Sequence, residues 1–86
     1  MNHPISILYL EDSPRDVELA RERLESGGLV CKLRIASCRA EYEAALAEPF
    51  DLILSDFALP DYDGMTALVL VQAKQPAVPF ILISVT

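Results

Sequence analysis

Positive charge is scarce in this sequence. Seven lysines and arginines stand against 13 aspartates and glutamates, giving a formal net charge of -6. That balance argues against a nucleic-acid binder, which needs a basic patch to meet phosphates, and against a surface for anionic lipid. Cysteine and histidine are nearly lacking. Cys31 and Cys38 fit no zinc spacing, and His3 lies far from both in sequence. Two reduced thiols are therefore expected, and neither a disulfide nor a metal pair. No apolar run approaches the ~20 residues of a membrane span. The opening MNHPISILYLEDS has no basic segment before its acids, unlike a secretory signal, so a cytoplasmic location is expected. The one adjacent glycine pair, Gly27-Gly28, reads as a helix end, and without a G-x-G-x-x-G the dinucleotide-binding fingerprint is excluded. There is no repeat, low-complexity tract or linker, so residues 1–86 are read as one domain or part of one.

The composition is that of a globular chain, 52% hydrophobic and 23% charged. Ile5 to Leu10 is short, apolar and cut off by two acids, which predicts a buried strand. Ser13-Pro14 then opens a helix: serine suits the cap, proline the first helical position, and Asp16 follows three residues after the cap. Val17, Ala20 and Leu24 recur at helical spacing up to Gly27-Gly28. From Leu29 to Ile35 the pattern alternates, with Cys31, Leu33 and Ile35 on one face and Lys32 and Arg34 on the other, as in an edge strand. A helix is predicted from Ser37 or Cys38, with Glu41 in its first turn, Tyr42, Ala45 and Leu46 as its apolar stripe, and Pro49 as its stop. DLILSD, Asp51 to Asp56, carries three consecutive large apolar residues and reads as a strand buried on both faces. The loop FALPDYDG leads to a helix over about Met65 to Gln75, and Phe80 to Ser84 reads as a further buried strand. Strand and helix alternate, which predicts an α/β fold with a parallel sheet.

Ligands of open parallel sheets bind at the carboxyl ends of the strands. Glu11 and Asp12 follow the first strand there, and Asp56 ends the third. One such carboxylate is often only a helix cap or a solvated loop residue, and Asp61 and Asp63 before Gly64 read as ordinary turn residues. Two adjacent acids plus a third from another strand end are different, because like charges beside a low-dielectric core repel. A divalent cation makes the cluster tolerable. Mg²⁺ fits, since it takes hard oxygen ligands, needs one or two carboxylates and keeps several waters.

With these motifs the chain resembles the receiver domain of two-component response regulators, along its whole length. LYLEDSPRD is similar to the family's acidic pair after strand one. DLILSDFALPDYDGM is similar to its phosphoacceptor segment, with Asp56 as acceptor, then Pro60 and Asp63-Gly64, and PFILIS to its fourth strand, ending in Ser84. The resemblance implies a three-layer, flavodoxin-like fold with sheet order 2-1-3-4. It implies that Glu11, Asp12, Asp56 and the backbone carbonyl of Ala58 hold Mg²⁺. It further implies that Asp56 takes a phosphoryl group from a histidine kinase or phosphotransfer protein, with Ser84 contacting a phosphoryl oxygen. Such a chain is a phosphoacceptor module and not an enzyme, beyond reactions on itself.

Two features depart from the family pattern. The lysine that pairs with the phosphoryl group at the end of a fifth strand has no counterpart in residues 1–86, and Lys74, near the end of the third helix, does not replace it. Val85 stands where the family usually has a small residue. Further, one helix on one face does not cover four strands. Apolar residues among Ile53, Leu54, Ile81, Leu82 and Ile83 are expected to lack cover, since the family's last helix, strand and helix have no counterpart in residues 1–86, so the chain is expected either to be a fragment of a longer receiver or to be completed by a partner copy as a homodimer. Two other readings compete. A degenerate receiver would serve only as a dimerisation or interaction module. A haloacid-dehalogenase-like phosphohydrolase also uses Mg²⁺ and a strand-end aspartate, but wants a second aspartate where this chain has Ala58.

Overall fold

Short apolar runs punctuated by acids, glycines and prolines produce an alternating chain. The computed structural model describes residues 4–56 and 64–83. In order these are β1 (Ile5–Leu10), α1 (Pro14–Ser26), β2 (Cys31–Ala36), α2 (Arg39–Ala45), β3 (Leu52–Asp56), α3 (Gly64–Lys74) and β4 (Phe80–Ile83). The strands form one four-stranded sheet in the order β2-β1-β3-β4, and each neighbouring pair is parallel. This is the expected α/β receiver architecture.

Helix ends follow local chemistry. Ser13 caps α1, its Oγ accepting from the Asp16 N–H at 3.4 Å, and Pro14 occupies the first turn. At the other end Gly28 takes φ +80°, a conformation open to glycine at little cost. There the Gly28 N–H donates to the Glu25 carbonyl at 3.0 Å and the Leu29 N–H to the Leu24 carbonyl at 3.1 Å, which together make a Schellman turn. Leu29 is therefore occupied by the helix end, and β2 begins at Cys31, two residues later than the alternation predicts. Cys31, Leu33 and Ile35 do face α1, and β2 is an edge strand.

The second helix is shorter than expected. Cys38 precedes α2 as its N-cap without a side-chain bond, while the Glu41 carboxylate accepts from both N–H and Oγ of Ser37 at 2.7 Å. It closes at Ala45, ahead of Pro49, in a tightened turn with Ala47 N–H to Ala44 O and Glu48 N–H to Ala45 O. Gln75, beyond the end of α3, donates from Nε2 to the carbonyls of Leu46 (2.8 Å) and Glu48 (2.7 Å), satisfying that terminus from afar. Asp51 lies just before β3 instead of within it: its Oδ2 accepts from the Ser6 N–H at 2.9 Å, and its own N–H donates to Ser6 O at 2.8 Å.

Each face of the sheet has its own core. On one side Leu8, Leu10 and Ile53 pack with Tyr42, Ala45, Leu46, Ala67 and Val71 of the α2–α3 layer. On the other, Ile7, Tyr9 and Leu54 pack with Val17 and with the half-buried Ala20 and Leu24 of α1. The expectation of uncovered residues on β3 is corrected, for Ile53 and Leu54 are both buried within the chain. Strand β4 is not the buried strand expected either. Ile81, paired with Leu54 and so on the α1 side, is 48% exposed, and Leu82 and Ile83 are half-buried. One helix packed against β1 and β2 leaves this corner of its face open.

Candidate functional site

Strands β1 and β3 are neighbours in a register that sets Leu10 beside Ser55. The residues that follow, Glu11 and Asp56, therefore leave the sheet side by side at its carboxyl end. Glu11, Asp12 and Asp56 each offer a carboxylate oxygen within 4.8 Å of the other two. The three acids singled out in the sequence thus do converge. Ala58 and Ser84 lie outside the described residues, as do Asp61, Asp63 and Val85. Lys74 ends α3, ahead of the residue where β4 begins. It therefore sits toward the amino end of the sheet, away from the acids.

The three acids differ sharply in setting. Glu11 is 1% exposed, Asp12 is exposed and Asp56 is intermediate. Glu11 stays at the carboxyl end of the sheet because its N–H donates to the Ala36 carbonyl of β2 at 2.9 Å. Its Oε2 accepts from the N–H groups of Asp12 (2.9 Å) and Ser13 (3.1 Å), so it also ties down the turn leading into α1. Its Oε1 accepts from the Tyr9 hydroxyl at 3.4 Å. Burial pushes the Glu11 carboxyl up to about 7; the bonded N–H of Ser13 opposes this, and the neighbouring Asp12 side chain and the Asp56 charge add to it. The Tyr9 phenol is pushed up to about 12 by burial first, then by the charges of Glu11, Asp16 and Asp56. Beside Asp56, the fully buried Ser55 donates from Oγ to the Asp56 carbonyl at 3.0 Å, fixing the main chain where β3 ends.

The donor set suits a small hard cation. Three carboxylate oxygens converge where the strand ends open to solvent, and their mutual repulsion is relieved by a divalent charge. Tyr9 is the residue that the sequence reading missed. Its signal was the two-residue period of the strand, which puts it on the same side as Glu11.

Comparison with known proteins agrees with this geometry. The model of the response regulator receiver domain family matches residues 7–86. A structure of the MaeR response regulator bound to beryllium trifluoride is similar at 28% identity and TM-score 0.83, over 95% of this chain and 68% of that one. The bacteriophytochrome response regulator AtBRR is similar at 25% identity and TM-score 0.84, over 99% of this chain and 69% of that one. The receiver domain of a sensor histidine kinase from Pseudomonas aeruginosa, with a magnesium ion coordinated in its active site cleft, is similar at 26% identity and TM-score 0.78, over 93% of this chain and 66% of that one. No curated protein matches the chain. With the 2-1-3-4 parallel sheet, the acids gathered at the ends of β1 and β3, and a family match over nearly the whole sequence, the chain belongs to the response regulator receiver domain family.

Proposed function

We propose that Asp56 accepts a phosphoryl group from a histidine kinase or phosphotransfer protein, with Mg²⁺, and that the new charge switches a partner interaction. The observation that carries this reading is the meeting of Glu11, Asp12 and Asp56 within 4.8 Å at two adjacent strand ends. An oxygen of Asp56 forms the new O–P bond as the N–P bond to the donor imidazole breaks, and the product is an acyl phosphate. Asp56 is the acid that ends β3 and is half-buried, so it is both fixed and reachable. Asp12, exposed, and Glu11, buried and held by two backbone N–H groups, are the other carboxylates that would hold the cation. When bound, Mg²⁺ supplies positive charge against the phosphoryl oxygens and the acid cluster. The family resemblance adds the Ala58 carbonyl and the Ser84 hydroxyl to this set. Phosphorylation adds negative charge to a crevice that is already acidic, which favours rearrangement of its surroundings.

On this reading the chain is a signalling module, not an enzyme that turns over a separate substrate. A second copy of the chain is also proposed as a partner along β4, supported by the exposure of Ile81 at the open corner of the sheet. Phosphoacceptance is tested by incubating the protein with acetyl phosphate and Mg²⁺, trapping with borohydride and mapping the adduct by mass spectrometry. Label on Asp56 alone, lost in Asp56→Asn, is expected. Label at Asp51 or Asp61 would refute the assignment of the acceptor. Absence of label would favour a receiver that acts only as an interaction module.

A further inference from the structure

We propose that Tyr9 is a positioning residue of the acidic site, its hydroxyl holding Glu11 in the orientation in which that carboxylate meets a divalent cation. The inference rests on the reading of the site as a cation site. Tyr9 is 2% exposed, and its ring packs among Ile7, Val17 and Leu54 on the α1 side of the sheet. Phenylalanine or leucine would fill such a core. The hydroxyl is what needs a reason, because a buried phenol must find a partner.

Its partner is Glu11 Oε1 at 3.4 Å, while the other oxygen of the same carboxylate takes the N–H groups of Asp12 and Ser13. Both oxygens of Glu11 are thus restrained, one by the turn and one by Tyr9. At 3.4 Å the contact is long for an O–H···O bond, so Tyr9 restrains Glu11 loosely. Without the hydroxyl, Oε1 loses that donor in a buried position, and the carboxylate is restrained through Oε2 alone.

The test is Tyr9→Phe, which keeps the ring and removes only the hydroxyl. Mg²⁺ is titrated while amide shifts at Glu11, Asp12 and Asp56 are followed. Removing an outer partner of a metal-holding group costs roughly 10–100-fold in affinity, and the long contact here places the expected loss near the lower end, about 10-fold. The shortfall in labelling of Asp56 should be recovered by raising Mg²⁺. A second readout does not depend on the variant's stability. The sequence has no tryptophan and three tyrosines, so tyrosine emission is observable directly. In a Tyr62→Phe background, Mg²⁺ should change that emission, and should still do so when Tyr42→Phe is added, but not when Tyr9→Phe is added. Wild-type affinity in Tyr9→Phe, or an emission change that survives in it, overturns the role of Tyr9 alone, provided Asp12→Ala abolishes binding. No Mg²⁺ binding by the wild type overturns this inference together with the reading beneath it.

Discussion

The burial of Glu11 makes the metal-free protein sensitive to pH in a defined direction. In the unfolded chain this carboxyl ionises near its ordinary 4.5, whereas in the fold it is pushed up to about 7. Between those values the folded protein holds a proton that the unfolded chain has released. Stability is therefore full below about pH 4.5, falls as pH rises toward 7, and levels off above it. At about 1.4 kcal/mol per unit, the gap corresponds to about 3 kcal/mol. That is a large part of the ~5–15 kcal/mol that stabilises a typical domain. The assay is urea denaturation in chelator-containing buffer at pH 5, 6, 7 and 8, a window above the titration of ordinary carboxylates. The wild type should lose roughly 2.5 kcal/mol across it, while Glu11→Gln should give a nearly flat profile. Mg²⁺ added at pH 8 should restore stability to the wild type by mass action on the folded state. Parallel profiles for the wild type and Glu11→Gln would refute the assignment of the pH dependence to this residue.

Other consequences lie away from the acids. The buried Tyr42 donates its hydroxyl to the Ala67 carbonyl at 2.8 Å, joining α2 to α3, and Tyr42→Phe should cost about 1 kcal/mol in chemical denaturation with Mg²⁺ affinity unchanged. The exposed Ile81 at the corner of the α1 face predicts self-association at low micromolar concentration by sedimentation equilibrium, shifted toward monomer in Ile81→Asp; a monodisperse wild-type monomer would refute the dimer.

Much of the fold was legible because its signals are local. Leu52, Ile53 and Leu54 in succession mark a strand covered on both sides, Ser13-Pro14 marks a helix start, and Gly28 marks the place where only a residue without a side chain takes φ +80° cheaply. The acids were legible for the same reason, since each directly follows or ends an apolar strand and parallel sheets bring those ends together. Which of two adjacent acids is buried was not legible. Composition treats Glu11 and Asp12 alike, and it is the Ala36 carbonyl of β2, the Tyr9 hydroxyl and the turn N–H groups of Asp12 and Ser13 that draw Glu11 inward while Asp12 faces water. The exposure of Ile81, the Tyr42–Ala67 bond and the Gln75 clamp on Leu46 and Glu48 were likewise decided in three dimensions. These contacts join residues far apart in the chain, and periodicity reports only which side of its own strand or helix a residue occupies, never what the rest of the molecule places opposite it.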